Sequence, residues 1–196
     1  MDKKLHGLLV ENAAEAVRIA RGITPDQLAD PSPCTDYDTR TLINHWVLFT
    51  SYGLEHRARR ADLPADLQKR DFAADPDWAA AYAAELDRTA AAWTDPAVWE
   101  GTVDFGGGMQ VPIADVFLMN LAELALHGWD VAKATGQEYR ASAQTGRVIL
   151  TFAEANAEMY RSFDGFAEPV QVPADADAFD QALALTGRDP HWSPAQ

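Results

Sequence analysis

The sequence predicts an all-α fold: a four-helix bundle with a short β-hairpin and short accessory helices. Three observations predict it. Apolar residues recur at three- and four-residue spacing through its long segments, proline and glycine punctuate the joins, and one glycine cluster is flanked by short β-prone stretches. With 196 residues the chain is expected to form a single domain, the bundle from about residue 5 to 165 and an accessory tail from 166 to 196.

The first helix is set by apolar residues at 5, 8, 9, 13, 16, 17 and 20, with Gly22 as its stop. Thr24-Pro25-Asp26-Gln27 then has a capping residue, proline at the first position and a glutamine two further on, the pattern of a short helical turn. Asp38 suits the cap of a second long helix through about His56, whose apolar face holds Leu42, Ile43, Trp46, Val47, Phe49 and Leu54, with His45 inside it. A polar, proline-broken connection follows. Asp75-Pro76 opens a third helix, in which Trp78, Tyr82, Leu86, Thr89 and Trp93 form one side and alanines permit close approach. Asp95-Pro96 ends it. The stretch TVDFGGGMQVP reads as a hairpin; without a following GKS or GKT it is no phosphate loop. Pro112 suits the first turn of a helix running to about Thr135 and stopped by Gly136. Another helix spans about Gln144 to Phe163, with Val148, Phe152, Met159 and Phe163 expected on its buried side. The tail reads as an extended piece and a short helix ending at Gly187.

Composition excludes several classes of function. A formal net charge of -14 repels phosphate backbones and anionic lipid, so nucleic acid is not an expected partner. The single cysteine, Cys34, allows neither an internal disulfide nor a cysteine-rich zinc site. A reducing cytoplasm is the expected location, since the N-terminal apolar run is broken at Glu11 and Asn12 and lacks the core of a signal peptide. The longest apolar run, VPIADVFLMNLAELALHGWDVAKA, is interrupted by Asp115, Asn120, Glu123, His127 and Asp130. That pattern fits a deeply buried helix and not a membrane span. Neither G-x-S-x-G nor a strand-linked G-x-G-x-x-G occurs, which removes the common hydrolase and dinucleotide readings.

Polar side chains in that run carry the chemistry. Glu123 and His127 are four apart, about 40° around the axis, and stand one above the other. A divalent metal in a bundle needs ligands from facing helices, and the remaining histidine on an apolar face is His45. Two imidazoles and one carboxylate leave coordination positions open for water or substrate. The same spacing also arises where a histidine bonds a backbone carbonyl and a Glu/His pair is a local helix contact. An ionised carboxylate in an apolar helix is expensive to desolvate, which weighs toward a bound cation. Asp130, one turn beyond His127, stands either as an orienting partner of that ring or as helix-surface polarity. His56 lies about 16 Å from His45 along one helix and cannot share an ion with it. His6 and His191 are near the termini and are expected to be exposed. Arg57, Arg59 and Arg60 cluster at a helix end, where they favour the dipole, or alternatively receive a carboxylate-bearing ligand. Cys34 has no basic sequence neighbour to activate it.

PSPCTDYDTRTLINHWV, AELALHGWDVAKATGQ and LALTGRDPHW, in that order and spacing, resemble the DinB-like metal-binding proteins related to the N-terminal domain of mycothiol-dependent maleylpyruvate isomerase. The resemblance implies a bundle holding a divalent metal, commonly zinc with nickel or iron as alternatives, through His45, Glu123 and His127. It also implies a scaffold on which related enzymes activate a low-molecular-weight thiol toward an electrophilic substrate. The isomerase carries a separate C-terminal domain, and the tail after Phe163 is shorter than that. Two readings follow: a metal-dependent thiol S-transferase or isomerase, or a non-catalytic metal-binding module with a structural or stress-related role. The resemblance does not favour iron-dependent oxygen chemistry, although the ligand set permits it. A homodimer stays open in either reading.

Overall fold

In the computed structural model, residues 3–105 and 107–194 are described. Seven α-helices and one hairpin run in the order α1 (Lys3–Arg21), α2 (Thr39–Val47), α3 (Leu54–Ala58), α4 (Trp78–Ala92), β1 (Thr102–Asp104), β2 (Gln110–Pro112), α5 (Ile113–Ala134), α6 (Ala143–Arg161) and α7 (Ala178–Leu185). The expected all-α bundle with a hairpin is what forms. In the hairpin the antiparallel register pairs Val103 with Val111; of the glycine turn, Gly106 lies outside the described residues. α5 is the central helix, packed against α1, α2, α3 and α6. Its buried residues run almost without interruption from Ile113 to Ala134, which is why its sequence is apolar nearly all round. No helix among the described residues is long and apolar enough to cross a membrane.

α2 starts where Asp38 accepts a hydrogen bond from Thr41 N at 2.8 Å, as its sequence predicts. The expected single helix to His56 is instead interrupted by a π-helical stretch, Leu48–Gly53, before α3. Wider turns change the azimuth of each residue after Val47. Phe49 therefore leaves the core face and is 38% exposed, beside His45, whereas Thr50 and Ser51 are buried and donate to the Trp46 and Val47 carbonyls.

The register between α2 and α5 positions the site. Trp46 Nε1 donates to the Leu124 carbonyl at 3.2 Å. One turn on, Gly128 lets the Trp46 ring in, since a Cβ there would stand 3.4 Å from its Cζ2 and 3.0 Å from Tyr139 Cε2. Residues 45, 123 and 127 are immediate chain neighbours of this contact, so it sets their alignment as well.

Two further expectations need correction. α4 begins at Trp78, two residues after the Asp75-Pro76 pair that the sequence offers as its opening, and Asp77 before it makes no side-chain capping bond. On α6 the buried line is Thr145, Gly146, Ile149, Phe152, Ala153 and Ala157, not one through Met159 and Phe163, which are 51% and 59% exposed. α7 decides this face. Its Phe179 seats against Gly146, where a Cβ would come within 3.0 Å of Phe179 N, and Met159 lies about 80° around the helix from Ile149. Phe163 follows the helix end.

Between α3 and α4 two carboxyls are buried together. Glu55 pairs with Arg59 at 2.5 Å, Glu85 pairs with Arg88, and Glu85 Oε1 has no hydrogen-bond partner. Burial first, and then Glu55, push the Glu85 pKa up against the pull of Arg88. A carboxyl whose pKa rises on folding binds its proton more tightly in the folded chain, so it detracts from stability as pH climbs above its unfolded value of 4.5. Glu85→Gln should therefore raise Tm at pH 7 to 8 by a few degrees, about 1 kcal/mol corresponding to ~2–4 °C for a chain of this size. The gain should shrink toward pH 4 in a thermal-melt series; a gain independent of pH would show that the charge is not its cause.

Candidate metal centre

Two helices supply the three predicted ligands, and the fold brings them together. His45 on α2 faces Glu123 and His127 on α5; His45 Nε2 lies 3.1 Å and His127 Nε2 3.4 Å from the same oxygen, Glu123 Oε2. One candidate ligand atom from each residue falls within 4.8 Å of the other two. The His45 ring stands 4.8 Å from that of His127, edge to face, and is flanked by Tyr37 and Phe49. His127 is the most enclosed of the three, with 12% of its side chain exposed against 31% for Glu123.

Each charge is shaped by its neighbours. Burial pushes the Glu123 carboxyl up, but the charge and hydrogen bond of His127, joined by those of His45, outweigh it and hold the group well below the usual carboxylate range. Burial pulls His127 down, yet Glu123 and Asp130 together raise it to about 9. The imidazolium form thus bridges two carboxylates.

Asp130 is fully buried, and its orientation is settled by the structure: Oδ2 accepts from His127 Nδ1 at 2.9 Å. The surface-polarity reading of Asp130 fails. Its partner comes from the tail. Arg188 donates from Nε to Oδ1 at 3.0 Å and from its NH2 nitrogen to Oδ2 at 2.9 Å, a forked pair that leaves neither oxygen of Asp130 unpaired. Arg188 lies in LALTGRDPHW, but no periodic or spacing signal tied it to His127. Gly187 makes the connection possible: it sits at φ +83, beyond the end of α7, with Ala167 so close that a Cβ would meet it at 2.6 Å.

The donor set suits a divalent ion. With Nδ1 committed to Asp130, a His127 ring that gives up its second proton has its lone pair on Nε2, on the Glu123 side, the arrangement in which an outer carboxylate fixes the tautomer of a metal-binding histidine. Ligand atoms on a tetrahedron of ~2.1 Å bonds stand about 3.4 Å apart, close to the spacings of Glu123 Oε2 from the two imidazoles. In the metal-free state a proton on His127 takes the place of the cation.

Other candidates fall outside this cluster. His56 Nδ1 donates to the Tyr52 carbonyl at 2.8 Å, since a carbonyl can only accept. His191 is exposed, but His6 is half-buried with Nε2 3.0 Å from the Ala90 carbonyl, contrary to the expected exposure. Burial pushes the Cys34 thiol up to about 11, which keeps it protonated and a poor nucleophile. The three arginines separate: Arg59 pairs with Glu55, Arg60 donates to the Val98 and Glu100 carbonyls, and Arg57 stands over the Phe105 ring. A cavity of about 600 Å³ opens from His45 and Glu123 along α2 and α3 to His56 and Arg57.

Comparison with known proteins agrees with this architecture. Two curated relatives, the uncharacterized proteins MT0763 and Rv0738 of Mycobacterium tuberculosis (strains CDC 1551 / Oshkosh and H37Rv), are each 29% identical over 173 residues, covering 85% of this chain and 87% of theirs. No solved structure gives a significant match. The family model for the mycothiol maleylpyruvate isomerase N-terminal domain matches residues 9–132, a span that contains His45, Glu123, His127 and Asp130 and stops short of Arg188. With well over half of its length matched, the chain belongs to that DinB-like family.

Proposed function

We propose that this protein binds a divalent metal, zinc foremost, through His45, Glu123 and His127, and activates a low-molecular-weight thiol for transfer to an electrophile. The observation that carries the reading is the convergence of two imidazoles and a carboxylate, of which His45 and Glu123 line a cavity. A divalent cation held there lowers the pKa of a thiol that meets it and so supplies thiolate at neutral pH. The chain's own residues do the remainder. Asp130 and Arg188 fix the His127 ring, while Phe49, Phe105 and Met119 give the cavity an apolar wall that limits water.

Elemental analysis of tag-free protein, combined with thiol-dependent turnover of an electrophile panel, tests this. Wild type should hold about one ion per chain, and His127→Ala should lose both the ion and the turnover. Unchanged turnover in His127→Ala would overturn the proposal. Stoichiometric metal without turnover of any thiol and electrophile pair would support the other reading, a non-catalytic metal-binding module.

A further inference from the structure

The cavity also holds an arginine that has no anionic partner among the described residues. Arg57 makes no ion pair and no side-chain hydrogen bond among the described residues; its one close partner is the Phe105 ring, 4.6 Å from the guanidinium carbon. In a chain with a formal charge of -14, where most buried or half-buried arginines reach a carboxylate or a carbonyl, that is unusual. Stacking on Phe105 occupies the face of the guanidinium and leaves the N–H donors of its edge unspent. Those donors form a planar fork matched to a two-oxygen anion. His56, the adjacent cavity residue, has Nδ1 tied to the Tyr52 carbonyl.

We propose that Arg57, held on Phe105, is the recognition point for a carboxylate, and that the ligand of this cavity is an elongated small molecule with a metal-seeking thiol at one end and a carboxylate at the other. The thiol end rests on the function proposed above; the carboxylate end does not. Twelve residues separate His45 from Arg57 along successive helical turns, an axial span of at most about 18 Å at the α-helical 1.5 Å per residue and less through the π-helical stretch Leu48–Gly53, so a ligand that meets both must be extended. The cavity volume, about 600 Å³, falls in the range of small-molecule sites. Charge selects the anion. Asp62 and Glu123 also line the cavity and Arg57 is the one arginine or lysine in that lining, so a phosphate dianion would bring two negative charges to a single guanidinium, whereas a carboxylate matches Arg57 one to one.

Calorimetric titration of the zinc-loaded protein with mercaptopropionate, mercaptohexanoate, mercaptooctanoate and mercaptoundecanoate, each beside the mercaptoalkanol of equal length, tests the assignment. In the longer pairs the acid should bind at least about tenfold tighter than the alcohol, the scale of one charge-assisted hydrogen-bonded pair, and in the shortest pair it should not. Arg57→Gln should erase the preference while leaving alkanol affinity and metal content unchanged, and Arg57→Lys, which keeps the charge without the fork, should restore part of it. Equal binding of acid and alcohol at every length, a preference that survives in Arg57→Gln, or tighter binding of the matching phosphates would overturn the proposal. Should no metal load, the function proposed above fails, and the same acids titrated into metal-free protein still decide this inference: an Arg57-dependent preference for acid over alcohol upholds it and its absence rejects it.

Discussion

Arg188→Leu should lower the unfolding free energy by about 3–5 kcal/mol, the scale on which a buried ion pair loses one partner and strands the other charge. Asp130 is fully buried, and its carboxyl is held low by Arg188 and His127 against the upward push of burial. Without Arg188 that push is opposed by His127 alone. The loss should be visible as a lower urea midpoint at unchanged slope. Metal affinity should fall in the same variant by about 10–100-fold, the usual consequence of disturbing the outer partner of a liganding histidine. Adding Asp130→Asn to Arg188→Leu should recover part of the stability, because the stranded charge is gone, without recovering the affinity. A loss of stability with metal affinity intact would mean that the tail braces the bundle without tuning His127.

The second large effect concerns Glu123. Glu123→Gln removes the negative charge that two imidazoles face, and metal affinity should drop by more than the ~10–100-fold expected for an outer partner. The proton on His127 should respond as well. In the metal-free protein its pKa is raised from 6.5 to about 9, so the stabilisation it brings is complete below pH 6.5 and is lost as pH rises through about 9. Thermal melts of metal-free wild type should decline across that window, and those of Glu123→Gln should decline less, since Glu123 is the largest of the influences raising His127. Because the proton and a metal compete for Nε2, metal affinity in the wild type should increase with pH over the same interval. A metal-free melting curve flat between pH 6.5 and 9 would contradict the bridging imidazolium.

Much of this was legible in the sequence, for identifiable reasons. Helical periodicity defined α1, α4 and α5 because their buried faces are long enough to show the 3.6-residue repeat, and the hairpin announced itself through its glycines. The closeness of Glu123 and His127 was readable because they belong to one helix, where spacing fixes proximity. His45 was reachable by its place on the apolar face of a second helix. Errors arose where a neighbour outranked the local pattern. The π-helical stretch turned Phe49 outward, and α7 chose the buried side of α6 through Gly146, leaving Met159 and Phe163 exposed.

The sequence by itself determined the helical class, the approximate place of its long helices and the residue types available to hold a cation, since these depend on periodicity and on chemistry carried within a few turns of chain. Only the tertiary structure decided that Asp130 is buried behind His127, that Arg188 returns from 58 residues away to pair with it, and that Arg57 lines the cavity over the Phe105 ring while Arg59 and Arg60 are engaged elsewhere. The physical reason is range. A helical pattern encodes which side of a segment avoids water, whereas the partner of a buried charge is chosen by the packing of distant segments, and no local repeat records that choice.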